Sequence, residues 1–121
     1  MAANKAQKKS EKKIYLWINM IKLIEDRLTD IIVLCQEHHV KSIALFGSAA
    51  KGTMNENSDI DFLVQFSDEI DVLEYADNYF SFLEQLEKLM GKRIDLVSRK
   101  SLKNPVLIEE IDRSKLDLYA A

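Results

Sequence analysis

The chain has 121 residues, 47% of them hydrophobic, and a formal charge of −3; that is one domain with one core, without room for a separate substrate-binding domain. Lys5, Lys8, Lys9, Lys12 and Lys13 against Glu11 make the first 13 residues basic and leave an acidic body, which argues against duplex nucleic acid as the direct ligand because such binding rests on a basic face. The lone Cys35 excludes an internal disulfide and a cysteine-built zinc site, so the cytoplasm is the expected compartment.

Residues 1–13 are Lys-rich and lack the apolar run of a signal peptide, so they read as a disordered leader ahead of a single domain over 14–121. Ile14, Trp17, Ile18, Ile21, Ile24, Leu28, Ile31, Ile32 and Cys35 keep a three-or-four spacing that predicts one buried helix face within 14–39. The charged and polar residues scattered through this segment exclude a membrane span. Leu16, Met20, Leu23 and Leu34 fall outside that stripe. The helix is therefore either broken near Thr29 and Asp30, the favoured reading, or apolar on two sides. The surplus apolar residues would serve a packed helix pair or a surface for another chain, a second copy included. His38 and His39 close the segment and read as structural, favoured there by the helix dipole.

Ser42 to Phe46 is a short apolar run ending at Gly47, which suits a buried strand. Asp59 to Phe66 reads as a second strand. Ile60, Phe62 and Val64 alternate with Asp59, Asp61 and Leu63, so one face is apolar and the other begins with two carboxylates. Residues 71–90 predict a helix with a buried stripe of Val72, Ala76, Tyr79, Phe80, Leu83, Leu86 and Met90. Asp68 or Asp71 can cap its start, and Gly91 stands at its left-handed end. Arg93 to Val97 is a third strand carrying Asp95 between apolar neighbours, Asn104 and Pro105 open a helix over 105–112, and 115–119 forms an edge strand. Tyr75, Tyr79 and Trp17 read as core or interface.

Gly47 directly after a strand lets the backbone turn sharply and present N–H groups, a geometry that binds phosphate. Ser48 adds a hydroxyl, Gly52 permits a second tight turn, and Lys51 can neutralise a triphosphate. Asp59 and Asp61, two apart on a strand, project from one face within reach of one ion. Their repulsion calls for a cation, and Mg²⁺ is a hard, oxygen-seeking one. Asp95 supplies a third acid on another strand; three acids suit two metals in phosphoryl transfer. Ion pairing of Asp95 with Arg93 or Lys51 is the structural alternative.

Together these residues resemble the minimal nucleotidyltransferases of the DNA polymerase beta-like superfamily. The shared pattern is Gly-Ser, a short helix ending in a basic residue and Gly, then Asp-x-Asp, then a later strand Asp. It runs here from Ser42 to Val97, with Gly47, Ser48, Ala50, Lys51, Gly52, Ser58, Asp59, Asp61 and Asp95 in register. Lys51 stands where many members carry Arg, which keeps the charge and loses the fork. The N-terminal extension, residues 1 to about 25, is unusually long for minimal members. The resemblance implies an α/β (α+β) nucleotidyltransferase fold: a small mixed sheet with helices mainly on one face, plus an N-terminal helical extension. It also implies transfer of a nucleoside monophosphate, AMP from ATP, to a hydroxyl with release of pyrophosphate. In that scheme Gly47, Ser48, Lys51, Gly52 and Ser58 hold the NTP, Asp59 and Asp61 bind two Mg²⁺ ions, and Asp95 binds the catalytic ion and helps deprotonate the acceptor. Similar proteins are MNT antitoxins that silence HEPN-type ribonuclease toxins by adding AMP to a toxin tyrosine. Two alternatives stand beside this: an antitoxin that occludes its partner through Leu16, Met20 and Leu23, and transfer to a small molecule.

Overall fold

The computed structural model describes residues 5–121, and side chains from residue 11 onward. The elements are α1 (Lys5–Glu37), β1 (Val40–Phe46), α2 (Gly47–Lys51), β2 (Ile60–Phe66), α3 (Val72–Met90), β3 (Ile94–Ser98), a 3-10 turn (Arg99–Ser101), α4 (Pro105–Ser114) and β4 (Leu116–Ala120). They form the mixed α/β architecture expected from the sequence. The sheet order is β3-β2-β1-β4. β1 pairs antiparallel with β2 and β4, whereas β3 lies parallel to β2, so α3 is the crossover between them.

Alternation along the strands assigns the two faces. Ile43, Leu45, Ile60, Phe62, Val64, Phe66, Ile94 and Leu96 join one core with residues of α1 and α3. Asp61, Leu63 and Asp95 stand on the opposite face. There Ala44 and Leu63, directly paired, and Ile111 of α4 are buried outside the main cluster. Two long helices on one face and one short helix on the other leave the acid-bearing surface partly open.

α1 is 33 residues long and runs unbroken through Thr29 and Asp30, which corrects the expected break. Both residues are exposed, so they cost the helix only their modest propensity. Met20, Ile24, Ile31 and Cys35 form its buried line, with Ile21, Leu23 and Leu34 packed beside it. The expected stripe was therefore rotated at its start: Ile14 and Ile18 are exposed, and Met20 is core. Of the docking surface expected from Leu16, Met20 and Leu23, Met20 is core, whereas Leu16 and Leu23 are half-buried and line a groove beside Asn55 and Glu56. The helix also begins at Lys5, inside the segment expected to be a disordered leader; residues 1–4 lie outside the described residues. No described helix is long and apolar enough to cross a membrane.

His38 locks the end of α1 into the core. Its Nδ1–H donates to the Leu34 carbonyl at 2.7 Å, which leaves Nε2 facing the Ser81 hydroxyl at 3.2 Å. Asn78 donates to the His38 carbonyl, and the imidazole lies 5.4 Å from the Phe82 ring. His39 takes the left-handed conformation, φ 57°, that ends the helix and starts β1. Burial pushes the Cys35 thiol up to about 12, so it stays protonated and packs as an apolar group.

α3 is capped as expected, Asp71 accepting from Leu73 N–H and Gly91 closing the end at φ 64°. Asp68 instead ion-pairs with Lys100. The buried stripe differs in phase: Phe82, Leu86 and Met90 are its centre, flanked by Tyr75, Tyr79 and Leu83, while Val72, Ala76 and Phe80 face outward. Apolar residues occupy both lines, so periodicity alone did not choose between them. Phe66 chooses, meeting Tyr75, Tyr79 and Phe82 edge-on. Phe82→Ala should therefore cost about 3–5 kcal/mol in urea unfolding, whereas Phe80→Ala, at a site 63% exposed, should change stability by less than about 0.5 kcal/mol. Equal losses would refute this phase.

Candidate active site

The site is built where β1 ends. Phe46 pairs with Asp61 across the ladder, so the residue after Phe46 passes close to the Asp61 carboxylate. That residue is Gly47, at φ 64°. A β-carbon there would stand 2.3 Å from Asp61 Oδ2, closer than any real contact. Glycine is thus required twice, by the backbone angle and by the approach of the carboxylate. Ser48 follows in the first turn of α2.

Asp61 and Asp95 are paired residues on adjacent parallel strands. Their carboxylates stand within hydrogen-bonding reach, and the Asp61 carboxyl is pushed up to about 6, first by burial and then by Asp95 and Asp59. Asp59 precedes β2 and is turned toward Arg93, whose Nε lies 3.7 Å from its Oδ1. Arg93 therefore pairs with Asp59, leaving Asp95 to face Asp61. The structure brings two of the three expected acids into contact and holds the third beside them. No group of three His, Cys, Asp or Glu among the described residues is already gathered around a metal position. The donor set nonetheless fits a hard divalent cation: two oxygen ligands whose repulsion already favours a bound proton.

The remaining expected residues are more scattered. Lys51 ends α2 and ion-pairs with Glu110 of α4 at 2.7 Å. Gly52 is the left-handed cap of α2 at φ 74°, its N–H donating to the Ser48 carbonyl. Ser58 closes the loop before β2, its hydroxyl accepting from Asn55 N–H at 2.8 Å. Two further residues adjoin the site without a sequence motif. The Tyr79 hydroxyl donates to the Leu96 carbonyl next to Asp95, and burial, then the Asp95 charge, raises its pKa. Trp17, from α1, donates its indole N–H to the Ala49 carbonyl of α2 at 2.8 Å. The available signal was the indole itself, a donor that needs an acceptor when buried in an apolar stripe.

Comparison with known proteins gives the family and the fold. Residues 29–118 match the nucleotidyltransferase domain family. A Methanocaldococcus jannaschii protein, provisionally assigned as a protein adenylyltransferase, is 42% identical over 80 residues, covering 66% of this chain and 78% of its own. The solved structure of a provisionally assigned minimal nucleotidyltransferase superposes with a TM-score of 0.66 at 32% identity, covering 78% of this chain and 92% of that one. A chain from a crystal structure of a toxin-antitoxin with AMP-PNP has a TM-score of 0.59 at 27% identity, covering 78% and 73%. By its matched residues, its fold and its relatives, the chain belongs to the nucleotidyltransferase domain family.

Proposed function

We propose that this nucleotidyltransferase transfers AMP from ATP to a tyrosine hydroxyl of a HEPN-type ribonuclease toxin, and so acts in the cytoplasm as its antitoxin. The contact of Asp61 with Asp95 beside the Gly47–Ser48 turn carries the reading. It places an acidic, partly desolvated pair next to backbone freed to approach phosphate. The relative assigned as a protein adenylyltransferase and the toxin-antitoxin structure with AMP-PNP support the acceptor class and the nucleotide.

In this reading the turn at Gly47 and Ser48 holds the triphosphate, and Lys51 exchanges Glu110 for a phosphate oxygen. Gly52 and Ser58 shape the loop around it. Asp61 and Asp95, joined by Asp59, would hold two Mg²⁺ ions, which supply neutralisation of the triphosphate and a more acidic acceptor hydroxyl. The tyrosine oxygen forms a bond to the α-phosphorus, the bond bridging the α- and β-phosphates breaks, and pyrophosphate leaves. Asp95 takes the tyrosine proton. The chain's contribution is position and charge, arranged before the reaction begins.

The test is incubation of the protein, Mg²⁺ and its cognate partner with ATP labelled at either the α- or the γ-phosphate. The α-label should appear on a tyrosine-bearing peptide of the partner, the γ-label should not, and a chelator should prevent α-labelling. A partner silenced without label would favour occlusion. A labelled soluble acceptor in the absence of any partner would favour small-molecule transfer.

A further inference from the structure

The five-residue α2 is too short to hold itself in place, and its carbonyls depend on groups from elsewhere. Gly52 N–H and Thr53 N–H both donate to the Ser48 carbonyl. The next carbonyl, that of the fully buried Ala49, is taken by the Trp17 indole, 32 positions away. The Trp17 ring also lies along Gly52, within ordinary van der Waals distance of where a β-carbon would stand. Lower on the same helix, Lys12 reaches Glu56, in the loop that leads to Asp59, at 2.6 Å, an exposed pair that adds little to the anchoring. On its other side α2 is held to α4 by Lys51 and Glu110.

Trp17 lies outside residues 29–118, the part that matches the family. We infer that the N-terminal half of α1 is a brace for the nucleotide site, with Trp17 as a positioning residue. By satisfying the Ala49 carbonyl and covering Gly52, it fixes α2 and hence the Gly47–Ser48 turn against Asp61. The inference rests on the proposed nucleotide cradle. It adds that this chain's affinity for nucleotide depends on a segment beyond the family core. Because the Lys51–Glu110 pair is exposed, it is worth little as an anchor. If that pair opens to release Lys51 to phosphate, Trp17 becomes the fixed side of α2.

Trp17→Phe keeps an aromatic ring on Gly52 and removes the donor. Binding of Mg²⁺ with AMP-PNP, measured by isothermal titration calorimetry, should weaken about tenfold, the effect of one lost buried hydrogen bond. In the partner-labelling assay KM for ATP should rise by a similar factor while kcat holds, a split that general destabilisation would not produce. Should Trp17→Phe fail to fold, 3-benzothienylalanine at position 17 retains the shape of the indole without its N–H and should show the same loss. Tight binding by the unaltered protein together with unchanged affinity in the variant would overturn the brace. Absence of binding by the unaltered protein would instead overturn the nucleotide cradle and the brace with it.

Discussion

Asp61→Asn should lower the rate of partner labelling by about 10³-fold and, with divalent cations removed, should raise the melting temperature at neutral pH. The substitution keeps size and shape, so both effects report charge. Loss of transfer follows because Asp61 is the acid nearest both the Gly47 turn and Asp95. The stability gain follows from the same contact. Burial and two neighbouring acids make the ionised form unfavourable, and the asparagine removes that cost while still able to donate a hydrogen bond to Asp95.

The pH dependence has a definite sign. The Asp61 carboxyl rises from an ordinary 3.8 to about 6 on folding. Between these values the folded state binds more protons than the unfolded one, so stability falls as pH rises through this window and the penalty is fully developed above about pH 6. In chelator, the unaltered protein should be more stable near about pH 5 than near about pH 7.5 by the contribution of this group, and Asp61→Asn should flatten the difference. Adding Mg²⁺ at neutral pH should stabilise the unaltered protein more than the variant. A variant that melts no higher than the parent in chelator at neutral pH would show that Asp61 is not strained by its neighbours.

The acids were legible in sequence because strand alternation is a strict code. Once Ile60, Phe62 and Val64 were assigned inward, Asp61 had to face the other way. The direct pairing of Asp61 with Asp95 was not legible, because the register of two parallel strands is decided by the crossover helix and by packing. Helix phase was less secure for a related reason. α3 carries Phe80 and Phe82 two positions apart on different faces, and only the position of Phe66 makes Phe82 the core residue. In α1, Thr29 and Asp30 looked like a stop because both favour helix ends, yet the buried line from Met20 to Cys35 continues past them. The indole of Trp17 signalled the need for an acceptor, but its partner, like that of Glu110, was not legible: each touches α2 from an element distant in the chain. No local spacing encodes such contacts.

Gly47→Ala should cut transfer by about 10²-fold, the loss expected when a reacting group is displaced by about an ångström. Two causes are superposed in this substitution, and a second glycine separates them. The first is backbone strain: an L-residue at φ 64° costs about 1–2 kcal/mol. The second is the clash, with the new β-carbon 2.3 Å from Asp61 Oδ2 and 3.2 Å from its Cγ. Because Gly47 is fixed by β1 and the Asp61 backbone by β2, the carboxylate is the part that can move, and it would turn away from the site. Gly91 has the same φ of 64° and nothing within 4 Å of an added β-carbon. Gly91→Ala therefore imposes the strain without the clash. Both variants should lose thermal stability, and only Gly47→Ala should lose transfer rate per folded molecule. Equal losses of rate in the two would mean that backbone strain, and not the displaced carboxylate, accounts for the defect.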